Sequence, residues 1–401
     1  MSFFNQFLCL IMYKIGYLII TPKSYSFGGF YLTILGSEKI INLKKKKKIF
    51  VYLFLNLQEK KSFKIYHRDI SKRLFYDLDL VGKFFSIFLT IYLNLISLIL
   101  YAVKAISKKK LNSILIKFLI PDYIGYSNRE YSFDFFSNKM NNILDNPNTS
   151  IQSVDLKRLY ADDNDAAKLN SVCFCIKDEN YNKIKEISSL YCSNVDNCKE
   201  SINFLISRNF QIHKIGEKMM KQIDFKNKKF KDFCYEDNHN DIFNKKLANC
   251  SFYFGSSSSM GTAPDIFNKK KFLINEVDHP ILNFSKTTNN VVIFKKIYCS
   301  KTKELFKLNK LFDKNLFSFE TLKNSIDNGA VYVEENSEEE IFEGMIEFYE
   351  INFKKKKKNY ILNKRYFEMR QHYLKKYYAK KYQILNQYIA TIPESFLHKI
   401  L

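Results

Sequence analysis

The alternation of apolar and polar positions divides the chain into two α/β stretches separated by a polar one. In the first stretch, residues 16–21 (GYLIIT) and 49–56 (IFVYLFLN) are apolar runs of strand length. Residues 84–106 read as an apolar helix, followed by a second helix near 111–119. Residues 3–20 are apolar as well, but Lys14 and the turn after it split them into helix and strand. No small-residue cleavage site follows, so no signal peptide is expected. Positions 141–168 are rich in Asn, Asp and Ser and poorly periodic, the pattern of a linker.

The second stretch is better punctuated. Strands are predicted at 171–176 (SVCFCI), 210–215, 231–235, 250–254 and 271–275, with helices at 196–208, 240–247 and from the loop after 254 to 267. Strands alternating with helices imply βαβ units and a parallel sheet. Beyond Asn336 the pattern is helical throughout. Ser337 ahead of Glu338, Glu339 and Glu340 supplies an N-cap and places acids on the positive end of the helix dipole. The expected plan is an N-terminal α/β domain over 1–140, a linker over 141–168, a second α/β domain over 169–336, and a helical extension over 337–401.

Composition narrows the function classes. With 401 residues, 46% apolar and 26% charged, the chain is long enough for two domains with their own cores. The net charge of +23 suggests polyanions, yet only seven of its 64 basic residues are Arg. Lys, Asn, Ile, Phe and Tyr are all abundant, which reads as A/T-rich coding. Nucleic-acid readers lean on the planar Arg fork, so a specific nucleic-acid partner is not expected. The eight cysteines include no CxxC pair, and no His stands at zinc-ligand spacing from two of them. Buried, reduced thiols are the simpler reading.

Residues 84–103 form twenty uncharged positions between Lys83 and Lys104, about the minimum for crossing hydrocarbon. Asn94, Ser86 and Ser97 interrupt the run, and Lys108, Lys109 and Lys110 follow it. A buried or interfacial helix, with its lysines against anionic headgroups, is the preferred expectation over a spanning one.

Three constellations carry candidate chemistry. The loop Gly255, Ser256, Ser257, Ser258, Ser259, Met260, Gly261 leaves a strand and opens a helix, offering backbone N–H groups and four hydroxyls to an anion. It has neither the GxxxxGK[ST] nor the GxGxxG spacing. Polar residues close the other predicted strands: Lys177 and Asp178, His213 and Lys214, Asn275 and Glu276. In a parallel sheet these converge, with Lys177 and Lys214 placed to neutralise a diphosphate and Asp178, His213 or Glu276 to act as base. The third is the turn holding Ser24, Tyr25, Gly28 and Gly29, where two glycines allow close backbone approach. Asp77-Leu78-Asp79 also spells DxD, but nothing near it completes a metal site, and no metal or cofactor is expected.

Several stretches follow one another along the chain: VCFCIKDENY (172–181), ESINFLISRNFQIHKIG (200–216), NDIFNKKLANCSFYFGSSSSMGTAPDIFNKKKFLINEVDHP (240–280), VVIFKKIY (291–298), GAVYVEENSEEEI (329–341) and IPESFLHKIL (392–401). In this order they resemble a family of bacterial glycosyltransferases that share a characteristic C-terminal half. The first half resembles the family only through the strand and glycine turn at 16–30. The resemblance implies two Rossmann-like domains of GT-B-like type, a nucleotide-sugar donor held by the C-terminal domain, and no obligatory metal. This chain departs from the family at four places. Lys177 precedes Asp178 where the family has Arg, Lys214 replaces a second Arg, and Ser258-Ser259-Met260 stands for Ser-Ser-Gly. The Arg that precedes Asp-Ile in the family is missing ahead of Asp241-Ile242.

The expected activity is transfer of a sugar from a nucleotide diphosphate donor to a cell-envelope glycan or lipid-linked acceptor. Lys177, Lys214 and the Gly255–Ser259 loop would face the diphosphate, Asp178 would be the leading base, and Ser24, Tyr25, Gly28 and Gly29 would lie on the acceptor side. The helix at 84–106 would bring the enzyme to the inner face of the cytoplasmic membrane. Two alternatives remain open: a membrane-associated scaffold of glycan assembly that has lost its site, and a basic nucleic-acid-binding protein. The sequence does not set the oligomeric state.

Overall fold

A computed structural model describes residues 15–20, 47–50, 68–106, 156–160, 170–180, 189–218, 220–223, 225–236, 239–256, 261, 263–277, 289–354, 361–379, 382–386 and 389–401. The chain is mixed α/β and divides into two compact units, Met1–Ala161 and Asp162–Leu401.

In the first unit, β1 (Tyr17–Ile20) pairs in parallel with β2 (Lys47–Phe50). Helices α1 (Arg68–Tyr76) and α2 (Leu80–Ile106) follow. The apolar helix thus starts four residues before the predicted 84, and Asp79 explains why. Its Oδ1 accepts from Gly82 N–H at 2.7 Å and caps the helix. Gly82 is needed there, because a Cβ would lie 2.7 Å from the Lys48 carbonyl oxygen. Asp79 also accepts from Tyr17 Oη at 2.9 Å and pairs with Lys47 at 2.7 Å, while Asp77 pairs with Lys48 at 3.2 Å. Both carboxylates of the DxD are therefore engaged in joining strands to helix. Arg73 donates to the Leu159 carbonyl at 2.6 Å and lies over the Tyr160 ring, tying α1 to the 3-10 turn Lys157–Tyr160. Over the described residues no helix is long and apolar enough to cross a membrane. The predicted helix at 111–119 lies outside the described residues.

The second unit is built on six parallel strands: β3 (Ser171–Cys175), β4 (Gln211–Lys214), β5 (Phe230–Asp232), β6 (Phe252–Ser256), β7 (Lys270–Glu276) and β8 (Val291–Phe294). Their spatial order is β5-β4-β3-β6-β7-β8. The chain moves outward in one direction from β3, then returns to start again at β6, so the order reverses between β3 and β6. The strands are buried on both faces, as helix-covered parallel sheets are. One face carries an aromatic ladder: Phe174 against Phe254 at 5.1 Å and Phe254 against Phe272 at 5.5 Å.

The helices between the strands are α3 (Lys199–Ser207), α4 (His239–Asn249) and the short α5 (Ala263–Ile266). After β8 come an antiparallel ribbon of β9 (Lys296–Cys299) and β10 (Val331–Glu334), with α6 (Leu308–Asp313) and α7 (Phe319–Asp327) between them. Neither β8 nor this ribbon stood out in the pattern of the sequence. The C-terminal helices are α8 (Glu338–Phe353), α9 (Ile361–Tyr377), α10 (Tyr382–Leu385) and α11 (Glu394–Ile400). Ser337 caps α8 as predicted, in a reciprocal box with Glu340. Phe348 of α8 covers the aromatic ladder, 4.8 Å from Phe252 and 6.0 Å from Phe272. Phe204 of α3 joins the same layer against Phe342 and Tyr349. The outer edge of β8 is closed by the segment before α11, where Val292 N–H donates to the Thr391 carbonyl at 3.0 Å.

Candidate functional site

In a parallel sheet the ligand crevice opens beyond the carboxyl ends of the strands, at the point where strand order reverses. Here that point is the gap between β3 and β6. Lys177 and Asp178 follow β3 directly, and Ser256 closes β6. Ser256 Oγ accepts from Lys177 N–H at 2.9 Å, so the two strand ends are bonded across the reversal. Lys177 is only 8% exposed, and its ammonium stands 5.2 Å from the Tyr191 ring centre. Burial holds its pKa below the ordinary lysine value, with the Cys192 and Cys175 thiols opposing. Asp178 is buried and accepts from Lys221 N–H.

Gly255 is part of the strand. The predicted end of this strand at 254 moves to Ser256, and Gly255 lies in register with Cys175 on one side and Leu273 on the other. A Cβ at this position would be 2.2 Å from the Cys175 carbonyl oxygen and 2.7 Å from Tyr253 Oη. Gly255 is thus required by the neighbouring Cys175 carbonyl and by the Tyr253 ring. Ser257, Ser258 and Ser259 lie outside the described residues, as do Ser24, Tyr25, Gly28 and Gly29.

Lys214 ends β4 next to Lys177, but it is not placed to receive a diphosphate. Its ammonium pairs with Asp232 Oδ2 at 2.8 Å and touches Cys234 Sγ at 3.4 Å, and the residue is 1% exposed. Burial pulls its pKa down, but Cys234 and Asp232 outweigh that, and the group is held above its usual value. His213 shares the register row of Cys173, whereas Lys214 shares that of Phe174, so the two side chains leave opposite faces of the sheet. The His213 ring lies edge-on to Phe233, and burial, with Lys246 and Lys231 nearby, lowers its pKa to about 4. It lies on the face of β4 opposite Lys214. Glu276 ends β7, one residue past the predicted 275, buried at 2% exposure, and its carbonyl accepts from Lys295 N–H at 2.9 Å.

Asn275, named from the sequence as a strand-end residue, has left-handed backbone (φ 56°) at a register shift between β7 and β8. Around it the structure adds Ser193, Lys295, Glu335 and Asn336, which the sequence reading passed over. The Asn275 Oδ1 accepts from both the backbone N–H and the side-chain Nδ2 of Asn336, at 2.8 and 2.7 Å, and its Nδ2 donates to Ser193 Oγ at 3.1 Å. Lys295, just after β8, donates to the Cys192 carbonyl at 2.7 Å and pairs with Glu335 at 3.7 Å. These contacts fix the segment 189–198, which holds the 3-10 turns Ser189–Tyr191 and Val195–Cys198, to the ends of β7 and β8. Among the described residues no group of three His, Cys, Asp or Glu side chains is arranged to hold a metal ion. Six of the cysteines are buried free thiols. Compared with models of known protein families, with curated proteins and with solved structures, the chain matches none.

Proposed function

We propose that the chain is a glycosyltransferase that moves a sugar from a nucleotide diphosphate donor onto a cell-envelope glycan or lipid-linked acceptor. The observation that carries this reading is the reversal of strand order between β3 and β6, with Lys177, Asp178 and Ser256 gathered at that edge. The desolvated Lys177 ammonium faces the diphosphate, whose charge grows as the bond from the sugar carbon to the phosphate oxygen breaks. The serine loop leaving β6 supplies further donors to the same oxygens. Asp178 takes the proton of the acceptor hydroxyl as its oxygen bonds to the sugar carbon. The first unit, Rossmann-like in this reading, handles the acceptor.

A peripheral seat at the inner face of the cytoplasmic membrane fits α2. Its Leu80, Phe84, Ile87, Phe88, Ile91 and Leu95 are all exposed and recur every three or four residues, one apolar stripe.

A second reading is favoured by Lys214. Its charge is neutralised within the fold, which is what a scaffold that kept the fold without transfer would show. A thermal-shift panel of nucleoside diphosphates and nucleotide sugars on the full chain separates the two. A donor at 100 times its dissociation constant should stabilise by about 2.7 kcal/mol. A panel without any shift would remove the transferase reading and leave the scaffold.

A further inference from the structure

Positive charge is not spread evenly over the chain. Between 354 and 390 there are twelve Lys or Arg and a single acid, Glu368, so this short stretch carries about half of the net charge of +23. Coding bias toward Lys does not account for so few carboxylates beside it. Helix α9 runs through this stretch, and its inner face sets how it lies. Asn363 donates to the Ile392 carbonyl at 2.8 Å and accepts from Ile392 N–H at 2.9 Å. Arg370 donates to the Leu385 carbonyl at 2.8 Å, and Tyr373 Oη to Asn315 Oδ1 at 2.8 Å. Asn363, Tyr366, Arg370, Tyr373 and Leu374 are buried.

The opposite face presents Lys364, Arg365, Lys375 and Lys376 to solvent, with Glu368 and His372 between them. Among the described residues none of these four cations is paired with a carboxylate. Lys375 and Lys376 lie instead over the rings of Tyr382 and Tyr377, at 5.3 and 4.9 Å. Surface lysines elsewhere in this unit do find acids, as Lys323 does with Asp327 and Lys199 with Asp196, both at 3.0 Å.

We infer that the outer face of α9 is a docking surface for an anionic phospholipid bilayer. The helix is about 25 Å long and presents its charges in a row along one side. Lysine-dominated clusters of this kind are drawn to the negative potential of anionic headgroups. Single-stranded nucleic acid would need exposed aromatic platforms among the charges. Tyr366 and Tyr373 are buried, and the half-exposed Tyr377 and Tyr382 rings are covered by Lys376 and Lys375, so the stacking faces are already taken. The surface belongs to the second unit and is independent of the transferase reading, since it involves none of the crevice residues.

The test is sedimentation of the full chain with phosphatidylcholine vesicles and with vesicles of equimolar phosphatidylcholine and phosphatidylglycerol. Binding is expected only to the anionic vesicles and should weaken as salt is raised. Replacing Lys364, Arg365, Lys375 and Lys376 together by Gln should weaken it about 100-fold at low salt. Lys364→Arg, Lys375→Arg and Lys376→Arg together should keep it. Glu368→Lys, which adds to the face and removes nothing from the core, should tighten it, so the proposal stays testable if the Gln variant folds poorly. Equal binding by parent and Gln variant overturns the inference. So does no gain with Glu368→Lys, or displacement of the protein from anionic vesicles by an equal charge of RNA.

Discussion

Lys177 and Lys214 stand at the carboxyl ends of neighbouring parallel strands, and their surroundings treat them in opposite ways. On the β4–β5 side, the register that sets Lys214 beside Asp232 gives the ammonium a carboxylate at 2.8 Å. Its pKa is held up despite burial. On the β3–β6 side, Lys177 is nearly as buried, but it faces the Tyr191 ring and its pKa is held down, first by desolvation. One lysine has been absorbed into the fold. The other has its pKa held down by burial, and an anionic ligand would offset that desolvation. That difference locates the candidate crevice better than the presence of either lysine does.

The largest effect is expected where the charge is absorbed. Lys214→Ala leaves the half-buried Asp232 without its cation and should destabilise the second unit by about 3 kcal/mol. The double replacement Lys214→Met with Asp232→Leu should recover most of that loss, because it removes both charges together. Urea denaturation of the two variants measures this. A Lys214→Ala protein as stable as the parent, yet deficient in nucleotide binding, would reverse the assignment of the two lysines.

Next is His213, one residue earlier on β4 and on the other face. Its folded pKa of about 4 lies below the unfolded value of 6.5. A depressed His favours the fold only above its unfolded pKa, and that contribution is lost as pH falls from 6.5 toward 4. The shift corresponds to about 3 kcal/mol. His213→Phe should flatten stability across this window. If the parent shows no decline there, the buried neutral imidazole is wrong.

These surroundings mark what the sequence could and could not disclose. The alternation of strand and helix is legible because buried parallel strands are short apolar runs between polar breaks, and β3, β4 and β7 fall close to their expected places. Gly255 misled because glycine usually ends a strand. Only the neighbouring Cys175 carbonyl and the Tyr253 ring, two residues earlier and on the same face, show why glycine stands within the strand. Lys214 and Asp232 are eighteen residues apart, and their pairing depends on the β4–β5 register, which no local pattern encodes. The structural role of the DxD is hidden for the same reason: Asp79 is held by Gly82, Tyr17 and Lys47, two of them remote in sequence.

A smaller effect tests the Asn275 hydrogen bonds at the end of β7. Asn275→Ala removes the acceptor of Asn336 N–H and places a Cβ residue other than Asn in left-handed backbone. A loss of about 2 kcal/mol is expected, and Asn275→Gly should lose less, since it relieves the backbone part. Equal losses for both would show that the hydrogen bonds alone matter.

The smallest stability change is expected at Lys177, and there it carries the most meaning. A lysine whose folded pKa lies below its unfolded value opposes folding at neutral pH, because the unfolded chain holds the proton more readily. Lys177→Met should therefore leave stability unchanged or raise it by less than about 1 kcal/mol. Binding of a nucleoside diphosphate, read by the same thermal-shift panel, should fall at least tenfold. A group that only supported the fold would show the reverse, a loss of stability with ligand binding intact. Since Lys214 is predicted to behave in that reverse manner, the two variants measured side by side decide which strand end faces the ligand.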